Sequence, residues 1–407
     1  MLQSRSHMTT ESELVSAGQK YLYPNYRQPA FVFVRGEGSQ LFDASGKRYL
    51  DLYAGIAVST LGHAHPKLSQ AIAQQASKLL HVSNYFYNEP NVQLAAQLCR
   101  LTGMDRAFFC NSGTEAIEAT LKLARRHFFA KGQVERQRII AFRNSFHGRT
   151  LGALAATGQD KYKDGFGPLP GVTHVAFGDA AAVRAALGPD VAGILVEPVQ
   201  GEGGVLPAPP GFLRELRALA DSHGALLLAD EVQTGVGRTG KFLAFQHDGV
   251  EADVVALAKA LGGGVPIGAM VCKKFLEEAL PPGSHGSTFG GNPLASAAAL
   301  AVLDVLENDG LLEQVKQRGE ELSALLAKTA AKFPTLVECA RGRGLLQALV
   351  LREGVDARKV MSAVQESGVL LTIAGGQALR FSPPLIVTKA ELEEGVSLLE
   401  RALAAYA

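Results

Sequence analysis

Two residues near the middle of the chain could do chemistry that their surroundings make difficult. Asp230 closes the apolar run ALLLAD, and Lys259 sits inside a second one, DVVALAKALGGG. A charge at the end of a buried strand is costly unless a partner neutralises it. A lysine flanked by alanine and leucine should have a lowered pKa, because desolvation disfavours the ammonium. A neutral amine is what a carbonyl cofactor needs for a Schiff base. The pair therefore fits pyridoxal phosphate, with the lysine on the aldehyde carbon and the aspartate on the pyridinium nitrogen. The same two residues also fit a salt bridge between strand ends, and on their own they leave that reading open.

The glycines between them suggest two other cofactors. Gly235, Gly237 and Gly240 spell G-x-G-x-x-G after a strand, with Glu251 downstream. That dinucleotide pattern must open a helix whose N-terminus takes the pyrophosphate. The stretch KFLAFQHDGV after it has no sustained helical period. Gly235 to Lys241 nearly spells a phosphate-binding loop, but Phe242 stands where magnesium needs a hydroxyl. An NAD-dependent oxidoreductase is kept as the alternative from a different class.

Other candidates come just after strands. In RAFFCNSGTEAIEATLKLARR, Ser112 and Glu115 read as a capping box. A helix start with Gly113 and Thr114 also offers free N–H groups and a positive dipole end to a phosphate. RIIAFRNSFHGRT is a strand and then a loop with Phe146, His147 and Arg149. The aromatic could cover a flat ring, and the guanidinium could clamp a carboxylate. AGILVEPVQGEGG runs from a buried strand into a loop with Glu197 and Glu202. His63 and His65 in GHAHP read as a turn before a helix starting at Pro66 rather than as a metal pair.

These residues need elements to position them. Helical patterns cover 66–81, 91–102 and PGFLRELRALADSHG, with Pro early in the last. Residues 105–270 alternate strand and helix, which implies a mostly parallel sheet with helices on both faces. Ligands bind at the carboxyl edge of such a sheet, where Ser112, Phe146, Glu202 and Asp230 fall. After residue 305 the pattern changes to helices at 311–332 and 357–367, strands at 343–352 and 369–373, a further strand ALRFSPP, and a capped helix from Thr388. That reads as a smaller α+β domain. The expected division is an N-terminal segment 1–65, a large domain 66–297 and a small domain 298–407. Residues 1–10, including Ser6-His7-Met8 as a possible cloning scar, are set aside from the fold.

Composition narrows the class. With 47% hydrophobic and 19% charged residues and a net charge of +1, the chain suits a globular enzyme and gives no support to a nucleic-acid or anionic-membrane partner. The cysteines, Cys99, Cys110, Cys272 and Cys339, form no C-x-x-C, so a reducing, cytoplasmic setting is expected. No apolar run reaches membrane-spanning length.

NSGTEA, FHGRT, EPVQGEGG, LLLADEVQTGVGRTG, AKALGGGVPIGA and GSHGSTFGGNPLA stand in this order along the chain. In this the chain strongly resembles the class III, ω-amino-acid aminotransferases of PLP fold type I, over about residues 20–405. The resemblance implies a large domain with a mostly parallel sheet of the seven-stranded type between helices. It also implies a smaller α+β domain built from the C-terminal part and the N-terminal segment. It makes Lys259 the Schiff-base lysine and Asp230 the pyridinium partner, with Val232 and Phe146 on the two ring faces and Gln233 at the ring hydroxyl. Ser112, Gly113 and Thr114 go to the phosphate, and Glu231 adjoins the cofactor set. Thr288 would reach the phosphate of a neighbouring subunit, with Ser287 at the same inter-subunit site, in a homodimer with shared active sites. Arg149 would bind the substrate carboxylate. Arg380 would be a second clamp near the cofactor, with Glu202 as its movable partner. Within the family the likeness is to the branch that moves the δ-amine of N-acetylornithine to 2-oxoglutarate, giving glutamate. Succinylornithine, succinyldiaminopimelate, ornithine and 4-aminobutyrate are the alternative donors.

Overall fold

The computed structural model describes residues 10–27, 29 and 31–406, so Ser6-His7-Met8 lies outside the described residues. The central sheet has seven strands in the order Arg106–Cys110, Gly268–Cys272, Val254–Leu257, Leu226–Asp230, Val191–Val196, Arg138–Phe142 and Val172–Val175. Only Gly268–Cys272 runs against the rest. The strands Val191–Val196, Leu226–Asp230 and Val254–Leu257 are buried along their whole length. Continuous apolar runs of this kind form when helices cover both faces of a parallel sheet. The carboxyl ends of Leu226–Asp230 and Val254–Leu257 lie side by side, with Asp230 opposite Ala256. Register thus brings Asp230 and the turn holding Lys259 to one edge.

The smaller unit joins the two ends of the chain. Val337–Arg343, Leu346–Leu351, Ala378–Phe381 and Thr372–Ala374 form one antiparallel sheet. Phe33–Glu37, Gln40–Asp43 and Arg48–Asp51 form another, and Val369–Leu370 pairs in parallel with its last strand. A mostly parallel seven-stranded sheet beside a smaller α+β unit is the architecture that the resemblance implies.

Several elements differ from the pattern-based reading. The strand expected at 343–352 is Leu346–Leu351, and it has an unexpected hairpin partner, Val337–Arg343, joined to it by a turn at Gly344, whose φ is +57°. A side chain there would meet the Thr239 backbone at 2.6 Å. Pro210 precedes the Gly211 N-cap and lies outside the helix Phe212–His223. The helix Pro293–Asn308 is unbroken across 297/298 and packs on Pro66–Lys78 and Glu89–Thr102. The expected division at 297/298 falls inside this helix. An unexpected helix, Glu11–Tyr21, is capped by Thr10 and Glu13 and buries no residue.

One short stretch is strained. Ala54, Gly55, Ile56 and Ala57 all have left-handed φ values, 49°, 61°, 65° and 61°. Such a turn costs roughly 1–2 kcal/mol per non-glycine residue. Asp51, fully buried, holds it in place. Its Oδ1 accepts from Tyr53 N at 3.1 Å and Ala54 N at 2.8 Å, and its Oδ2 lies 2.8 Å from His63 Nε2. His63 is therefore a structural partner of Asp51, and among the described residues no cluster is suited to a metal ion. The turn delivers Val58 to the wall of the main cavity. Asp51→Ala leaves these donors unpaired and should destabilise the protein by about 2–3 kcal/mol. Asp51→Asn, which keeps one acceptor, should cost less. Thermal unfolding checks this, and equal midpoints for Asp51→Ala and wild type would contradict it.

Candidate active site

A cavity of about 380 Å³ opens at the carboxyl edge of the central sheet. Each wall is a segment just beyond a strand. Leu226–Asp230 contributes Asp230, Val232 and Gln233, and the turn after Val254–Leu257 contributes Lys259. Ser112, Gly113 and Thr114 come from the start of the helix Gly113–Ala130. Phe146, His147 and Arg149 come from the loop after Arg138–Phe142, and Glu197 and Glu202 from the chain beyond Val191–Val196.

Asp230 is buried but fully engaged. One oxygen accepts from Val232 N at 3.0 Å, and the other lies 2.6 Å from His147 Nδ1. His147 is in turn fixed by its backbone N–H, which donates to Thr157 Oγ1 at 2.9 Å. Its Nε2 is buried without a partner among the described residues. The sequence patterns give His147 no role of its own. The available signal is its place two residues beyond a buried serine, in a loop that leaves a strand.

Lys259 opens a short 3₁₀ turn with φ +43°, a left-handed value that strains a non-glycine residue. Thr60 Oγ1 donates to Ala260 O at 2.7 Å and braces the turn. Among the described residues the Lys259 amine has no hydrogen-bond partner. Burial lowers its pKa, and the nearby Glu202 carboxylate only partly opposes this.

The helix start is built to receive an anion. Ser112 Oγ accepts from Glu115 N at 3.3 Å, but the Glu115 carboxylate reaches Asn111 N at 2.8 Å and Ser112 Oγ at 2.9 Å, so the box closes one residue early. The first N–H groups of the helix, on Gly113 and Thr114, have no acceptor among the described residues. Thr114 Oγ1 accepts from Arg149 N and Thr150 N at 3.2 and 3.3 Å. A Cβ on Gly113 would lie 2.6 Å from Val232 Cγ1, so glycine lets the helix start approach the Asp230 turn.

Two carboxylates behave differently. Burial would raise the pKa of Glu202, but Arg380 and then Lys259 outweigh it and hold it low. Arg380, 1% exposed, donates to Glu202 through Nη1, to Gln233 Oε1 at 3.2 Å and, through Nε, to Thr372 Oγ1 at 3.0 Å. Glu197 accepts from Phe146 N at 2.9 Å and Gly201 N at 3.2 Å, and burial pushes it up to about 7. Arg149 is exposed, its guanidinium 3.9 Å from the centre of the Tyr162 ring, and that ring packs edge-on to Phe146. No sequence pattern marks Tyr162 for this place.

Four expected residues stand outside the cavity lining: Arg380 lies behind Glu202 and Gln233, which it contacts, and Glu231, Ser287 and Thr288 point elsewhere. The Glu231 side chain turns into the core, where it accepts from Phe245 N at 3.0 Å and from Thr234 Oγ1. It points away from Asp230 into the core and does not line the cavity. Thr288 is exposed, and Ser287 Oγ accepts from Gly290 N at 3.0 Å. Neither lines the cavity of its own chain. The Gly235–Gly240 loop is packed against the smaller unit, where a Cβ on Gly237 would meet Leu312 of the helix Leu311–Lys332 at 3.0 Å, and the next element is a 3₁₀ turn, Ala244–His247. The loop lacks the helix start that a dinucleotide needs.

The family model for class-III aminotransferases matches residues 21–403. Acetylornithine aminotransferase of Myxococcus xanthus is 51% identical over 392 residues, 96% of this chain and 97% of that protein. A Pseudomonas aeruginosa protein, succinylornithine transaminase/acetylornithine aminotransferase, is 45% identical over 95% of both. Ornithine aminotransferase of Toxoplasma gondii, in a structure with PLP partly occupying its active site, superposes with a TM-score of 0.94 at 33% identity, covering 98% of this chain and 96% of that one.

The family is PLP-dependent, and the cavity has the parts that group requires. It offers a desolvated amine without a partner, a carboxylate fixed by His147, and free helix N–H groups for a phosphate.

Burial pushes Glu231 from the ordinary 4.5 up to about 7. A carboxyl whose folded pKa is raised costs nothing below its unfolded pKa. The cost grows as pH rises and is complete above the folded pKa. Glu231→Gln should therefore gain stability relative to wild type between pH 4.5 and 7, by a few kcal/mol at most, at roughly 1.4 kcal/mol per unit. Thermal midpoints of both proteins at pH 5 and pH 8 measure this. A difference that does not change with pH would contradict it.

Proposed function

The chain belongs to the class III aminotransferases and is a PLP-dependent transaminase, and from that premise we propose that it moves the δ-amine of N-acetylornithine to 2-oxoglutarate. The observation that carries this reading is the ion pair of the buried Arg380 with Glu202, both close enough to Lys259 to act on its charge. The two substrates differ at the reacting carbon. N-acetylornithine has no carboxylate there, whereas glutamate has one. With Glu202 on Arg380 the clamp is neutral and admits the δ-amine. When glutamate or 2-oxoglutarate binds, Glu202 swings away and Arg380 takes the carboxylate. Arg149, at the exposed side, holds the distal carboxylate of either substrate.

When bound, pyridoxal phosphate supplies the electron sink for breaking the C–H bond at the reacting carbon. The rest falls to this chain. Lys259, its pKa lowered by burial, takes the proton from the substrate carbon and returns it as general base and acid. Asp230, oriented by His147, holds the proton on the ring nitrogen. Val232 and Phe146 bracket the ring, Gln233 faces its hydroxyl, and Ser112, Gly113 and Thr114 receive the phosphate. Succinylornithine is the second reading, favoured by the relative that carries both names. A cytoplasmic setting belongs to the same reading.

The half-reactions separate the roles. Removing one partner of a buried pair costs roughly 3–5 kcal/mol. Glu202→Ala should slow the N-acetylornithine half and spare the glutamate half, Arg380→Ala should do the reverse, and Arg149→Ala should damage both. Single-turnover absorbance changes, run with N-acetyl- and N-succinylornithine, read this out. Equal losses in both halves for Glu202→Ala and Arg380→Ala would reject the gate.

The active unit in this reading is a homodimer. Tyr85 and Tyr87 are 93% and 95% exposed, with Phe86 between them. Asn84 ties this stretch to the Ser287 loop by donating to Ser287 O at 2.8 Å and Gly290 O at 3.0 Å. An aromatic patch of this kind is unusual on a monomer, and it adjoins Thr288, which a second copy would use at its phosphate. Mixing inactive Lys259→Ala with inactive Thr288→Tyr should restore up to about a quarter of wild-type activity, since half the dimers are mixed and one of their two sites is intact. A fully active monomer in sedimentation under assay conditions would refute the shared site.

A further inference from the structure

Glu202 lies on a tight loop between the paired segments Val199–Gln200 and Leu206–Pro207. The backbone of this loop is held from both sides. Within the large domain, Gly201 N donates to Glu197 Oε2 at 3.2 Å, and a Cβ on Gly203 would lie 2.7 Å from Asn144 O. From the smaller domain, Gly375 N donates to Glu202 O at 3.0 Å. Arg341, on the strand Val337–Arg343, donates through Nε and Nη2 to Gly204 O, at 3.0 and 2.8 Å. Gly204 has φ +113°, a conformation in which glycine gives the chain no steric restraint of its own. Arg341 does not line the cavity.

We propose that Arg341 is a positioning residue for the Glu202 gate: by clamping Gly204 O with two N–H groups it fixes the loop, so that Glu202 opens and closes by side-chain rotation over a stationary backbone. The inference rests on the gate reading above. A charged donor forking onto one carbonyl gives a stiffer tie than a neutral bond. The loop rides with the strand that carries Arg380, because Arg341 and Arg380 both belong to the sheet of the smaller domain. The closed pair is then set by one rotamer of Glu202. If the clamp is lost, the loop gains backbone freedom, the closed pair is populated less, and Arg380 is freed.

The test uses the holoenzyme and glutarate, an unreactive dicarboxylate that competes with Glu202 for Arg380. In Arg341→Met, glutarate measured by calorimetry should bind about three- to tenfold more tightly, and the N-acetylornithine half-reaction should slow by a similar factor, the scale of one hydrogen bond. The glutamate half should be unchanged. Arg341→Lys, which keeps one donor, should fall between Arg341→Met and wild type. It also carries the test if Arg341→Met does not fold. In a Glu202→Ala background, Arg341→Met should add nothing, because the residue acts through Glu202. Equal slowing of both halves, unchanged glutarate affinity, or a full extra loss on top of Glu202→Ala would overturn the proposal. Failure of the gate itself is distinguishable, since Glu202→Ala alone, with Arg341 intact, would then show no bias between the halves.

Discussion

A lysine amine must stay unpaired a short way from carboxylates that would readily bind it. Much of the architecture around the cavity answers to that constraint. Burial disfavours the ammonium of Lys259, while Glu202, Asp230 and Glu197 all favour it. Each carboxylate is held in other company. Asp230 is taken by His147 and Val232 N, Glu197 by Phe146 N and Gly201 N, and Glu202 by Arg380. The strained backbone at Lys259 is a second cost of placing the amine there. Such strain persists only where the surroundings over-determine it. The Thr60–Ala260 bond and the Asp51-held turn behind it supply that support.

The same site needs segments from different crossovers to approach to within backbone distance. Glycine makes this possible at specific places. A Cβ on Gly148 would fall 2.2 Å from Thr114 Oγ1, and one on Gly201 would fall 2.0 Å from Gln233 Oε1. The first contact joins the Phe146 loop to the helix start. The second joins the Glu202 loop to the Asp230 turn. Removing Cβ at these positions is what lets separate strand ends form one enclosed wall.

Much of this is legible in the sequence, because motifs placed just after strands fall at one sheet edge whatever the details of the crossovers. Asp230, Lys259, Gly113 and Phe146 are found that way. Adjacency in sequence to Asp230 does not bring the Glu231 side chain to the cavity, because it turns into the core toward Phe245 N and Thr234. His147 is noticed but given no role, because its value lies in a contact with Asp230 across 83 residues, which no local pattern contains. The first arm of the hairpin at Gly344 is missed because ECARGR is mostly polar, and the restraint on the turn, the Thr239 backbone, is remote in sequence. The helix Pro293–Asn308 shows the same limit. Its composition marks it as a helix, but no local pattern contains its packing against Pro66–Lys78.

In the proposed reading the burial of the two arginines explains why one of them needs a movable partner. Arg149 is exposed, and water can solvate it whenever no substrate is bound. Arg380 is 1% exposed, and an unpaired guanidinium there would carry a desolvation cost of several kcal/mol. A fixed partner would remove that cost but would close the clamp to glutamate. A partner that swings lets one carboxylate replace another, so the buried charge is never left alone and the exchange costs little in either direction. That balance depends on where Glu202 can go when displaced. Gln233 Nε2 lies 3.4 Å from its carboxylate, and Lys259 is near enough to lower its pKa. Both lie on the cavity side, so the displaced carboxylate stays in a favourable field without leaving the site.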